Sequence, residues 1–133
     1  MTQEEKQLLL KDLSARLPYD VKVCVKLPNH QEKIFEEQIG DLKEITRYGG
    51  YLVNSKGIDY RSFNLDIKPY LRPLSSMTEE EKLMYEGLMI GADNVSYMLD
   101  VIEWLNANHF DYRGLIEKGL AIEVNESNNP YKE

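Results

Sequence analysis

One cysteine, one tryptophan and two histidines are all that these 133 residues bring to the chemistries those side chains serve. A lone Cys24 cannot close an internal disulfide. One Cys and two distant His cannot build a zinc site without several carboxylates, so neither a metal nor another cofactor is expected. Long apolar runs are missing as well. The longest hold three or four residues, against the roughly 20 that a membrane-spanning helix needs. The start, Met-Thr-Gln-Glu-Glu-Lys, lacks a basic stretch followed by an apolar one, so no secretory signal is expected and the expected compartment is the cytoplasm. Basic residues are in deficit, 16 against 23 acids, for a formal charge of -7. That field repels a phosphate backbone and disfavours nucleic acid as a partner.

What is present is enough to fold. Leu, Ile, Val and Phe number 36, about 27% of the chain, above the level at which charged chains stay disordered. The length fits one domain. The charge is concentrated: residues 75–104 hold Glu79, Glu80, Glu81, Glu86, Asp93, Asp100 and Glu103 against Lys82 alone, whereas residues 18–74 are nearly balanced. These acids are either the wet face of helices or a surface that docks a basic partner.

Local patterns divide the chain into a helix (1–17), a β portion (18–74), a helical portion (75–125) and a polar, flexible tail (126–133). Thr2-Gln3-Glu4-Glu5 fits a capping box, and Leu9, Leu10, Leu13 and Leu17 form one stripe, predicting a helix over 3–16 that Pro18 ends. Tyr19, Val21, Val23, Val25 and Leu27 alternate with polar residues, predicting a half-buried strand over 19–27. Cys24 falls on its charged face beside Lys22 and Lys26, which could lower the thiol pKa; an idle, half-exposed thiol is the plainer reading.

Pro28 to Gln31, including His30, reads as a turn. An extended segment from Lys33 is expected to be interrupted at Gly40-Asp41 and to continue through Leu42, Ile45 and Tyr48. Gly49-Gly50 lacks the Lys and Ser/Thr of a phosphate cradle and reads as a hairpin turn. Short strands around Tyr51–Val53 and Ile58–Ile67 follow, with Pro69 and Pro73 ending the β portion. This predicts a small, bent antiparallel sheet, pictured as an SH3-like, partly open barrel, within an α+β fold.

Thr78-Glu79-Glu80-Glu81 is a second capping box. Leu83, Met84, Leu88 and Met89, then Val95, Met98, Leu99, Ile102 and Leu105, give two helical stripes separated near Gly91-Asn94. Asp111 is placed to cap a short helix through Ile116 that Gly119 stops, and Leu120, Ile122 and Val124 alternate as an edge strand.

Function is less legible. His109 and Asp111 could form an acid/base pair, but residues two apart on a helix do not face each other, and capping would already occupy the carboxylate. Tyr48, Tyr51, Tyr60 and Tyr70 with Arg61 and Arg72 could line a protein-binding groove, though tyrosines of this kind are commonly core bodies with hydroxyls at the surface. Glu79, Glu80 and Glu86 are the candidate acidic contacts. Trp104 is expected in the core, or as an anchor if exposed.

Three blocks carry a resemblance. They are Glu4 to Leu13 with Ala15 to Tyr19, then Lys68 to Glu81, then His109 to Ala121. In them the chain resembles a family of small uncharacterised proteins of gut Bacteroidetes and of their phages and mobile elements, while residues 26–67 depart from it. The resemblance implies a bacterial or phage origin and supplies no catalytic residue. The leading expectation is a non-catalytic interaction module or accessory protein with a protein partner, with no oligomeric state specified. An acidic nucleic-acid mimic that blocks a basic host factor, displaying its carboxylates as one continuous sheet, is the alternative. A small enzyme using His109 and Asp111, with a cavity lined by both, comes last.

Overall fold

The computed structural model describes residues 1–29, 31, 34–47, 50–62, 66–91 and 95–132. The readings placed on His30, Lys33, Tyr48, Gly49, Phe63, Leu65, Asp93 and Asn94 lie outside the described residues.

The first helix, α1 (Gln3–Arg16), starts where the capping box predicts. Glu5 N donates to Thr2 Oγ1 at 3.1 Å, and Thr2 N donates to Glu5 Oε1 at 2.9 Å. Leu9 and Leu13 are buried, and one 3-10 turn containing Pro18 carries the chain away. Five antiparallel strands follow: β1 (Lys22–Asn29), β2 (Ile34–Ile45), β3 (Tyr51–Ser55), β4 (Ile58–Ser62) and β5 (Ile67–Pro73). Successive hairpins join β1 to β4, and β5 returns to pair with β1. Two two-residue strands, β6 (Phe110–Asp111) and β7 (Ile122–Glu123), run parallel to the second half of β5. The result is an open, mostly antiparallel sheet in an α+β fold, with helices α2 (Glu79–Ile90) and α3 (Val95–Ala107) between β5 and β6.

Alternation through β1 and the residue before it puts Val21, Val23, Val25 and Leu27 into one core with Leu9 and Leu13 of α1, Leu42, Val53, Ile67, Leu71, Leu115 and Leu120. A second, smaller core holds Val101, Leu105 and Phe110, with Tyr85, Leu88 and Trp104 against it.

Several local expectations change. β1 begins at Lys22, after the 3-10 turn that holds Tyr19, and runs on through Pro28 and Asn29, where a turn is expected. Gly40 does not interrupt β2: the strand runs twelve residues, with its register shift between Leu42 and Glu44. Gly40 is needed because a Cβ there would meet Val53 Cγ1 at 2.5 Å. Pro69 lies inside β5, not at its end. Lys26 N donates to Asp66 O, so by alternation the pairs Lys26/Asp66 and Cys24/Lys68 are hydrogen-bonded, and Val23/Pro69, the next pair beyond Cys24/Lys68, is not. The missing Pro N–H therefore costs the β1–β5 ladder nothing.

The tail also folds back. Tyr131 Oη accepts from Lys22 N at 3.0 Å and donates to Tyr70 O at 2.8 Å. By that same alternation Lys22 and Tyr70 would be the next bonded pair, so one phenol hydroxyl occupies the place where the two strands part. The Tyr131 ring stacks on His109, with centroids 3.8 Å apart and planes 9° from parallel.

Candidate functional site

The α2–α3 hairpin is clamped at its base and bare at its end. Thr78 caps α2: Glu81 N donates to Thr78 Oγ1, and Thr78 N donates to Glu81 Oε1. The same carboxylate takes a two-pronged bond from Arg72 of β5, with Nη1 to Oε2 at 2.8 Å and Nη2 to Oε1 at 2.6 Å. Those bonds hold its pKa down at about 2. The Arg72 guanidinium in turn covers the Phe110 ring at 4.2 Å, and Trp104 stacks on Phe110 at 5.6 Å. On α3, Val101, Leu105 and Asn106 are buried, and Asn106 Oδ1 accepts from Tyr112 Oη.

Beyond that base, coverage stops. No residue of α2 is fully buried; Glu81, Tyr85 and Leu88, on one side of the helix, lie toward the body. All of residues 95–100 are exposed. The expected stripes exist as helical faces but are largely uncovered: Leu83 is 69% exposed, Ile90 85% and Val95 78%, with Met84, Met89, Tyr97, Met98 and Leu99 also exposed. The hairpin is closed on itself at Gly91, where a Cβ would sit 3.2 Å from the Tyr97 ring.

The acids of this region are interleaved with those apolar side chains and do not form one unbroken sheet. Glu81 is taken by Arg72, and Glu79 lies 3.4 Å from Lys82. Glu80, Glu86, Asp100 and Glu103 are exposed and have no basic partner among the described residues.

The other candidates resolve differently. Tyr70 is corrected: it is only 8% exposed, shut in against Cys24, and presents no surface. Tyr51 and Tyr60 pack half-buried against the main core, so they are core bodies more than groove walls. Arg61 is exposed and pairs with Glu44 across the sheet. Arg72 and Trp104 belong to the clamp under the hairpin.

His109 and Asp111 do not converge. His109 lines a cavity of about 530 Å³ with Arg72, Asn129 and Tyr131, whereas Asp111 lines a separate one of about 440 Å³ with Tyr112 and Glu117. Both Asp111 oxygens are engaged, accepting from Leu115 N and Ile116 N at 3.0 Å each. The capping role therefore stands, although it caps a turn and not a helix. His109 has a left-handed backbone (φ 62°), and its buried Nδ1 has no hydrogen-bond partner. Burial, then the charges of Arg16 and Arg72, pull its pKa down to about 4. The Cys24 thiol is shifted up by burial and by Glu37, against the smaller pull of Tyr70 and Lys68; Lys22 and Lys26 are engaged by Asp41 and Asp66. Among the described residues no three of His, Cys, Asp and Glu are grouped to hold a metal, and no helix is long and apolar enough to cross a membrane.

Besides the tail's Tyr131, sequence reasoning missed the buried pair Asp12–Arg16. Arg16 Nε donates to Asp12 Oδ2 at 2.9 Å, Arg113 donates to Oδ1 at 3.0 Å, and Arg16 Nη2 donates to Phe110 O at 2.6 Å. The i, i+4 spacing of opposite charges on one helix was the available signal.

Comparison of the chain with protein-family models, with curated proteins and with solved structures gives no match.

Proposed function

We propose that the chain is a non-catalytic, cytoplasmic protein-interaction module that docks through the α2–α3 hairpin. The observation that carries this is the concentration of uncovered apolar side chains. Of the fourteen large apolar residues exposed among the described ones, eight lie between Leu83 and Leu99. Fully burying such a side chain is worth about 1.5–3 kcal/mol, so eight at roughly half exposure hold back on the order of 10 kcal/mol. Exposed apolar surface concentrated in this way, set among charged side chains, marks a place for a partner. The rigid base supports the same reading, since the Arg72–Glu81–Thr78 clamp fixes the hairpin's root and leaves its end free to present. A lipid surface fits poorly, because interfacial helices are rich in Lys and Arg while this stretch carries Lys82 alone. An accessory role in a phage or mobile element of gut Bacteroidetes rests on the three resembling sequence blocks.

Photo-crosslinking residues placed singly at Leu83, Ile90 and Val95, and for comparison at Phe35 and Ile58 on the sheet, test the reading in a Bacteroidetes host. The expected result is a discrete protein adduct from hairpin positions, absent from sheet positions and, for the Leu83 and Val95 positions, removed by Ile90→Glu in the same chain. Adducts confined to the sheet positions, or none beyond background at any position, reject it.

A further inference from the structure

We infer that the hairpin's occupant is a basic amphipathic segment of another protein, apolar along one face and flanked by Lys and Arg; this rests on the docking reading above. On α2 the residues Leu83, Gly87 and Ile90, at steps of four and three, lie along one line of the helix, opposite the Tyr85 and Leu88 side that meets the body. Between Leu83 and Ile90 the line is vacant: a Cβ on Gly87 would meet nothing within 4 Å. An exposed Gly in a helix interior costs about 1 kcal/mol relative to Ala, and the chain's own packing makes no use of it. It leaves a notch, open to solvent, in which an incoming side chain fits between two apolar walls.

The rim of this line is acidic on both sides. Glu80 borders it on one side of the helix, and Glu79 and Glu86, seven residues apart, border it on the other. α3 carries a separate set on its own surface: Leu99 is exposed with Glu103 one turn on, and Asp100 is exposed as well. An apolar centre with a charged rim is the anatomy of a protein interface, and here the rim has one sign. Among the described residues Glu80, Glu86, Asp100 and Glu103 have no internal cation to satisfy them.

Four occupants compete for such a surface. A second copy of this chain would set acidic rim against acidic rim, each molecule carrying -7. Anionic lipid and nucleic acid share the same sign and are repelled. Only a segment with Lys or Arg flanking its apolar face meets the centre and the rim together, and such complementarity raises the association rate and selects the partner.

Isothermal titration with designed probes tests this. One probe is a helical Leu/Lys peptide of about 18 residues, long enough for five turns; its control is a Leu/Glu peptide with the same apolar face. The titrations use the full chain, the folded variant Ile90→Glu and the combined variant Glu80→Gln, Glu86→Gln, Asp100→Asn, Glu103→Gln. The expected result is that the Leu/Lys peptide binds, that affinity falls about tenfold or more between low and moderate salt, and that each variant weakens it at least as much. The Leu/Glu peptide should not bind. Absence of Leu/Lys binding, equal binding of both peptides, or no change in either variant overturns the inference. So does sedimentation showing that the free chain dimerises more strongly as salt rises, which makes a second copy the occupant. Crosslinks at Leu83 or Ile90 to a partner without basic flanks remove this inference and leave the docking reading standing. Crosslinks confined to the sheet remove both.

Discussion

β1 and α2 are both amphipathic, and their apolar faces meet different fates. In β1 and its approach, Val21, Val23, Val25 and Leu27 have no exposed surface at all. In α2, Leu83, Met84, Met89 and Ile90 are exposed and only Tyr85 and Leu88 reach a core. The difference lies in what stands opposite. β1 is flanked by β2 and β5 and shares its core with α1, whereas the far part of α2 has only the first turns of α3, which are exposed themselves. Periodicity tells which residues share a face; whether that face is covered depends on elements far away in sequence.

That contrast can be broken most forcefully in the body. Asp12 neutralises Arg16 where both are fully buried, so Asp12→Ala strands a charge, and urea unfolding is expected to show a loss of about 3–5 kcal/mol. Tyr131→Phe removes the hydroxyl between Lys22 N and Tyr70 O and is expected to cost about 1–3 kcal/mol, with faster amide exchange at Lys22.

Acid should act on the body through His109. Its folded pKa of about 4 lies below the ordinary 6.5, so the unfolded chain takes up the proton first as pH falls. The stability His109 carries is complete above pH 6.5 and is lost between there and about pH 4, which a series of melting temperatures will show. His109→Asn tolerates the left-handed backbone and should flatten that limb.

The hairpin's root gives a smaller effect. Glu81→Ala removes the Arg72 clamp and one arm of the capping box, for about 1–2 kcal/mol by urea unfolding. Glu81 has the same sign of pH dependence lower down: its contribution is complete above pH 4.5 and fades toward pH 2. At the hairpin's far end the effect should vanish. Ile90→Glu is expected to change stability by no more than about 0.5 kcal/mol.

Much of the body was legible because its signals are local. Both capping boxes, the stripe of α1 and the alternation of β1 each need only neighbours within a few residues; the first three appear as read, and the alternation holds from Val21 to Leu27 but not at Tyr19. Gly40 was misread because its requirement is set by Val53 on the adjacent strand, and Pro69 because its tolerance depends on register. The polar composition of 126–132 hid Tyr131, whose partners lie 61 and 109 residues away. The site was legible in part. The acidic run and the apolar spacing of 83–99 stand in the sequence, but nothing in that spacing says that Leu83 and Ile90 point away from every other element.

The most direct measurement is therefore the same substitution at two leucines, Leu13→Ala in α1 and Leu83→Ala in α2, each unfolded in urea beside the unaltered chain. Leu13 has no exposed surface and Leu83 is 69% exposed. Leu13→Ala should cost about 2–5 kcal/mol and Leu83→Ala less than about 0.5 kcal/mol. A comparable, large loss at both positions would contradict the account, because it would mean that the free protein already covers the hairpin face.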